Sequence, residues 1–373
     1  MGYKNNLSFI KHNPIKPILE KVGGNIFTKC YTPAPDTTRS LAALFSGKPP
    51  ALNGCNTKTR FAKHFLDPNQ RSIFSLLIDK GFSINIFHEP NELNQGLFPE
   101  CVYNQAKIHP TYNLPSFLKS TKIENNSATF IGISDFHQVF NDYGYNERGA
   151  RKAIIETSKT LEFLFSNIDI NEFDHTFIFS DHGFRLSGKL VDPLIYLGPS
   201  RTQTLMVYRQ KGQNKLVKNS KFCSVMSVLP TLNNIFNQDE KTYDYSLLKS
   251  KMRDYIIIED HFNYQPRVRH NIELWGLITP NEFYVKTLEG SSHMKLENSF
   301  IEHISHSDFD RILSKETEID IYIKDYDAVQ RYKKFMRSES IRDISHLSTG
   351  KLRYQSRKNK VSRFIKSKFK DIF

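Results

Sequence analysis

Two short segments of the chain carry residues whose types and spacing could do chemistry. The first is Ser180-Asp181-His182-Gly183, directly after the apolar run His-Thr-Phe-Ile-Phe. A carboxylate and an imidazole at the end of a strand can point into one crevice and share a divalent cation. Asp supplies a hard oxygen and His a borderline nitrogen, a mixture that suits Mn²⁺ or Zn²⁺. The same tetrapeptide serves equally well as a turn or cap after a strand. The second segment is Ala34-Pro35-Asp36-Thr37-Thr38-Arg39-Ser40, running into Leu41-Ala42-Ala43-Leu44. A hydroxyl at a helix start faces unpaired backbone N–H groups and the positive end of the dipole. Such a place stabilises an alkoxide and receives an anionic ester. Thr37 or Asp36 acting simply as a helix cap explains the segment too.

The elements that must position these residues can be read from hydrophobic period. Pro33 and Pro35 exclude helix before Thr37, the Leu/Ala run favours one from 38 to 45, and Gly47 supplies its stop. The first thirty residues, with Pro14, Pro17 and the Gly23-Gly24 pair, read as irregular structure around a short helix. A helix at 71–80 leads into the strand-like Phe82-Ser-Ile-Asn-Ile-Phe-His88, an αβ unit of a parallel sheet. The segment from Ser127 to His137 reads as a buried strand with a polar end. Apolar positions at Ile154, Ile155, Ser158, Leu161, Leu164, Phe165 and Ile168 give a helical period over 150–168. Strands at 175–179 and 204–212 and a helix over 224–236 follow. Alternating strand and helix implies an α/β protein with a mainly parallel sheet.

Together the two segments resemble the alkaline phosphatase/sulfatase superfamily. The family places its nucleophile ten residues before the glycine of a small-residue–Gly pair, and counting back from Gly47 in Ser46-Gly47 gives Thr37. The downstream elements follow in the family's order: Ile133-Ser-Asp-Phe-His, the long helix, Thr176-Phe-Ile-Phe-Ser-Asp-His-Gly, Leu205-Met-Val-Tyr and Leu229-Pro-Thr. The resemblance covers roughly Thr28 to Phe236. It implies a three-layer sandwich with a mainly parallel central sheet, alkaline phosphatase-like, plus a smaller C-terminal region. The expected division is a core over 1–250, an α+β extension over 251–345 and a basic tail over 346–373.

The resemblance also implies roles. Thr37 attacks phosphorus or sulfur while bound to a metal that Asp181 and His182 hold, and His137, at the end of its strand, contacts the substrate or leaving group. Arg39, Lys189 and Arg201 are candidates for binding the ester's oxyanions. One divalent ion is expected: Mn²⁺ first, with Zn²⁺, Ca²⁺ or Mg²⁺ as alternatives. His261, His270, His293, His303 and His306 match no pattern for a second metal.

Two departures shape the expected activity. Sulfatases of the family convert a Cys or Ser to formylglycine, which threonine cannot become, so Thr37 resembles the phosphodiesterase and phosphoglycerol or phosphoethanolamine transferase branches. The family also opens with a strand ending in an acidic ligand, some thirty residues before the nucleophile. The sequence from Gly2 reads as what would follow that acid, which implies an earlier start or a lost ligand, with Asp36 as a conceivable substitute. The functional expectation is a metal-dependent hydrolase or transferase of phosphate or sulfate esters in bacterial surface polysaccharide or lipopolysaccharide metabolism. The alternatives are a sulfatase on sulfated glycans, or a non-catalytic binding protein of the polysaccharide machinery.

Composition sets the surroundings. The formal net charge is +13 over 373 residues, and the stretch from Lys351 to Phe373 concentrates it, with nine Lys/Arg against one Asp. Val361, Phe364, Ile365, Phe369 and Ile372 fall at helical spacing there. A basic amphipathic helix on an anionic membrane surface is therefore expected, with a solvated tail as the alternative. Charge this localised is not the footprint of a nucleic-acid surface. No apolar run is long enough to span a bilayer, and the start lacks a secretory h-region. Four widely spaced cysteines, Cys30, Cys55, Cys101 and Cys223, make neither a zinc site nor a disulfide framework, so a cytoplasmic location, peripheral on the inner membrane, is expected.

Overall fold

The computed structural model describes residues 13–53, 55, 70–88, 102, 105–110, 115, 126–144, 146–184, 197–236, 245–250, 253–260, 274–286, 291–296 and 301–304. The chain divides into two units, Met1–Lys315 and Glu316–Phe373, and every described residue lies in the first. The basic tail and Lys189 lie outside the described residues.

Eight α-helices are described: α1 (Ile15–Val22), α2 (Thr37–Ser46), α3 (Pro50–Asn53), α4 (Ile73–Asp79), α5 (Asp135–Tyr143), α6 (Glu147–Asn167), α7 (Pro199–Thr202) and α8 (Val228–Ile235). The strands are β1 (Gly24–Tyr31), β2 (Ser83–His88), β3 (Ala106–Pro110), β4 (Ser127–Ile131), β5 (His175–Phe179), β6 (Met206–Gln210), β7 (Leu216–Ser224), β8 (Ile256–Asp260), β9 (Leu274–Ile278), β10 (Glu282–Lys286), β11 (Ser291–Lys295) and β12 (Ile301–Ile304). One sheet has the order β5-β6-β1-β7 and a second, wholly parallel, the order β3-β2-β4. Phe130 of β4 meets Phe179 of β5 at a centroid distance of 6.3 Å, where edge strands of these two sheets approach.

Strand alternation puts the two faces of the first sheet against different helices. Phe27, Cys30, Met206, Tyr208, Phe177 and Phe179 pack in one core with α2, α4 and α8, which contribute Leu44, Phe45, Phe74 and Leu229. Ile26, Val207 and Ile178 point the other way, onto Ile15, Ile18 and Leu19 of α1 and Ile154 and Leu161 of α6. This is the expected three-layer α/β sandwich. On α6 the buried positions Ala150, Ala153, Ile154, Thr157, Ser158, Leu161 and Leu164 recur every three or four residues, while Ile155 faces solvent at 45% exposure. Burying a side chain such as Ile154 completely contributes about 1.5–3 kcal/mol, so this stripe is enough to hold α6 on the sheet.

One expectation needs correction. The segment read as irregular contains β1, a central strand paired parallel to β7 and antiparallel to β6. Its approach turns on Gly23 and Gly24 at φ 79° and 93°. A Cβ on Gly24 would meet the Tyr208 carbonyl oxygen at 2.6 Å, so only glycine fits there. In this sheet β5, β1 and β7 run the same way and β6 alone runs against them, so it is mainly parallel, as expected.

The remaining strands form an antiparallel five-stranded sheet in the order β12-β11-β10-β9-β8. Its Ile256, Ile258, Ile278, Phe283 and Val285 pack against Tyr31, Ala43, Phe222 and Met226. This sheet lies within the segment expected to be an α+β extension. Cys30, Cys55 and Cys223 are free and buried. Cys30 and Cys223 are register partners on β1 and β7, and burial raises the Cys223 thiol well above its ordinary range. Among the described residues, no helix is long and apolar enough to cross a membrane.

Candidate active site

The helix α2 begins where the prolines release the chain. Asp36 is extended at φ −141°, ψ 158°, and its carboxylate accepts the Arg39 backbone N–H at 3.3 Å as an N-cap. The helix ends at Gly47, whose left-handed φ of 68° lets its N–H reach the Ala43 carbonyl, as anticipated. Leu41, Ala42, Ala43, Leu44 and Phe45 are all buried, so the helix is held on every side and its first residue, Thr37, is fixed in place.

The strand β5 ends at Phe179. Ser180 continues the pairing with Leu205 in both directions: its N–H donates to the Leu205 carbonyl at 3.0 Å, and its hydroxyl accepts the Leu205 N–H at 2.9 Å. This delivers Asp181 and His182 to the start of α2. The Thr37 hydroxyl lies 3.3 Å from His182 Nε2, and Asp181 Oδ2 lies 3.4 Å from the same nitrogen. Residues 144 apart in sequence thus converge on one point, as the motif reading required. Their side chains are mostly enclosed, with 26% of Asp181 and 20% of His182 accessible.

The imidazole has a defined tautomer. Its Nδ1 lies 2.5 Å from the Gly183 carbonyl, which can only accept, so Nδ1 carries the proton and Nε2 offers its lone pair to the cluster. Burial holds His182 below its ordinary value; the Asp181 charge opposes this, and the Arg201 guanidinium adds to it. The ring is neutral. For Asp181, burial alone would raise the carboxyl; the pull of His182, which acts only when that ring is protonated, and the Thr37 hydroxyl work against burial and bring it below its ordinary value.

A neutral imidazole with Nδ1 tied to a carbonyl, a carboxylate and a hydroxyl form a donor set suited to one divalent ion. Among the described residues no group of three or more His, Cys, Asp or Glu gathers to hold a metal. Asp181 and His182 are the two residues of these types that stand beside the Thr37 hydroxyl at this point.

The other expected site residues fall out differently. Arg201, on α7, comes to the site. Its guanidinium donates to the Pro35 carbonyl, and its own carbonyl accepts the Gly183 N–H at 2.7 Å, so one residue ties both motifs together. The same strap is stitched to β1 by Thr32 N–H to Thr202 O at 2.8 Å and Thr204 N–H to Cys30 O at 2.9 Å. Arg39 is not at the surface of the site: it is 1% exposed and its guanidinium grips the Asp36 carboxylate from within. Asp36 is thereby committed to a cap and an ion pair, not offered as a substitute ligand. His137 is not at the end of a strand. β4 stops at Ile131, and His137 lies exposed in the first turn of α5, with no hydrogen bond to the cluster.

One residue was missed. Phe184, directly after the motif, is 6% exposed and packs on Phe136 and Phe140 of α5 at 4.7 and 5.1 Å. It anchors the C-terminal side of the loop that carries Asp181 and His182. Its signal in the sequence was an apolar residue immediately following a polar motif. Cys55 is a packed thiol facing the Thr38 carbonyl at 3.7 Å, pushed up to about 12 by burial and then by the Asp36 charge.

No protein-family model matches the sequence, and no curated protein matches it. Solved structures do. A candidate sulfatase from Bacteroides thetaiotaomicron is 15% identical, with a TM-score of 0.59 over 88% of this chain and 89% of that one. A protein in the alkaline phosphatase superfamily from Vibrio parahaemolyticus is 16% identical, with a TM-score of 0.51 over 80% of this chain and 78% of its own. A phosphonate monoester hydrolase from Silicibacter pomeroyi is 11% identical, with a TM-score of 0.50 over 77% and 85% of the two chains. The chain therefore shares the α/β fold of these sulfatase-like structures.

Proposed function

We propose that this chain is a hydrolase or transferase that cleaves anionic esters, phosphodiesters before sulfates, with Thr37 as the nucleophile. The observation that carries the reading is the convergence of the Thr37 hydroxyl on His182 Nε2 at 3.3 Å and on Asp181. A divalent ion held by Asp181, His182 and Thr37, Mn²⁺ first, would acidify the hydroxyl and offset the charge of the ester. The chain's own contribution is orientation. The first turn of α2 presents Thr37 with the positive end of the helix behind it, His182 Nε2 would give its lone pair to the ion, and the proton of the acidified hydroxyl would pass to solvent. Arg201, whose charge acts on the His182 imidazole, is a candidate to meet an incoming ester oxygen.

Phosphodiesters are preferred because a threonine cannot supply the formylglycine on which sulfatase chemistry of this family depends. A sulfatase acting on sulfated glycans is the second reading, supported by the similarity to a candidate sulfatase. The setting we favour is surface polysaccharide metabolism in the cytoplasm, with the basic tail on the anionic face of the inner membrane.

The test is calorimetric titration of Mn²⁺ into the full chain beside Asp181→Ala, followed by turnover of an aryl phosphodiester and an aryl sulfate with wild type and Thr37→Ala. Binding lost in the first variant and phosphodiester turnover lost in the second are expected. Turnover that survives Thr37→Ala sinks the nucleophile assignment. Absence of metal binding and of turnover in the wild type would leave a binding protein as the better description.

A further inference from the structure

Asp36 precedes the nucleophile directly, and its environment is unusual for a helix cap. Its Oδ2 receives Arg39 Nε at 2.6 Å and Arg39 Nη2 as well, while Oδ1 accepts the Arg39 backbone N–H at 3.3 Å. The two side chains are 1% and 6% exposed for Arg39 and Asp36. An ordinary cap needs only a short acceptor in water. Sinking a full ion pair under the first turn costs desolvation that its Coulomb attraction barely offsets, so such a pair is poorly explained by stability alone. What a guanidinium fork does supply is direction, because its planar donors fix the carboxylate in orientation as well as place.

That direction matters at the next residue. Asp36 is extended and Thr37 is helical, so the cap sets where the Thr37 side chain leaves the backbone. The hydroxyl must meet His182 and Asp181, which arrive from a different element. Arg39 lies one turn in, anchored by the buried helix that holds Leu41, Ala42 and Leu44 in the core.

We propose that Arg39 is a positioning residue: by clamping the Asp36 cap it holds the Thr37 hydroxyl on His182 and Asp181. Its charge also neutralises Asp36, so that an anionic ester approaching Thr37 meets no uncompensated carboxylate. The proposal rests on the reading of Thr37 as nucleophile, but it can be tested without turnover.

The full chain is labelled with ¹⁵N-histidine, and the His182 Nε2 resonance, assigned with His182→Gln, is compared in wild type, Thr37→Ala, Arg39→Met and Arg39→Lys. Arg39→Met is expected to move the resonance to its position in Thr37→Ala. Arg39→Lys, which keeps the charge but loses the fork, is expected to move it the same way. If Met does not fold, Lys carries the test. With an active wild type, kcat for an aryl phosphodiester should fall on the order of 100-fold in Arg39→Met, the scale of a misplaced reacting group, with KM within about threefold. A wild-type resonance in a folded Arg39 variant overturns the proposal. An inactive wild type whose resonance still shifts keeps the clamp and discards only the assigned chemistry.

Discussion

Truncating Phe184 should loosen the loop that carries Asp181 and His182, and the size of the effect can be worked from its surroundings. The ring is 6% exposed and sits between Phe136 at 4.7 Å and Phe140 at 5.1 Å, the latter edge-on at 66°. A buried Phe removes roughly 150 Å² of apolar surface from water, which at about 25 cal/mol per Å² is just under 4 kcal/mol. Alanine would recover less than about 1 kcal/mol of that, while the cavity left between Phe136 and Phe140 adds to the loss. Phe184→Ala should therefore cost about 3–4 kcal/mol, within the usual range for such truncations. Phe184→Leu, which refills most of the volume, should cost about 1–1.5 kcal/mol. Urea unfolding followed by near-ultraviolet circular dichroism reads both. At roughly 2 °C per kcal/mol for a unit of this size, the Ala variant should melt about 6–8 °C early. A loss below about 1 kcal/mol in Phe184→Ala, or equal losses in both variants, would refute the idea that this ring anchors the loop.

Two further outcomes are expected. Asn146 caps α6 through its side-chain oxygen to the Gly149 N–H at 3.0 Å, so Asn146→Ala should lose about 1 kcal/mol and Asn146→Asp almost none, measured by the same unfolding curves. Burial holds His175 below its ordinary value near 6.5, against a weaker opposing pull from Asp174, while its Nδ1 lies 3.0 Å from the Tyr208 hydroxyl. The neutral ring is the one the fold accommodates. Its contribution is fully present above the unfolded value and fades as pH falls through the lowered folded value. Wild type should therefore lose more melting temperature than His175→Gln on moving from pH 7.5 to 5, and parallel curves would refute the assignment.

That Thr37 would lie near Asp181 and His182 was legible because the segments that carry them are short and distinctive. A hydroxyl ten residues ahead of a helix-ending glycine, and an Asp-His pair after an apolar strand, keep their meaning without the rest of the chain. β1 was not legible, because its glycine entry and its Asn25, Thr28 and Lys29 imitate a loop; burial of Ile26, Phe27, Cys30 and Tyr31 comes from strands about 180 residues away. His137 was misplaced for a related reason. β4 ends at Ile131, Gly132 passes under the His88 ring where a Cβ would come within 2.6 Å, and Asp135 already opens a helix. Arg39 was read as a candidate for binding the ester's oxyanions, whereas it is buried against Asp36; the Asp36–Arg39 spacing of three, spanning the helix start, was the available sign that the two would pair.

The placement of β1 also dictates an order of events. Its hydrogen-bonding partners, β6 and β7, begin at Met206 and Leu216, so the central strand has no sheet to join until most of the first unit has left the ribosome. The intervening β2, β3 and β4 need only each other to form a parallel sheet. Closing a loop this long costs entropy that must be met before any pairing rewards it. The helix α2, made before β6 and β7, is therefore late to reach its final neighbours, and Thr37 meets Asp181 and His182 only after the chain has been made through β7.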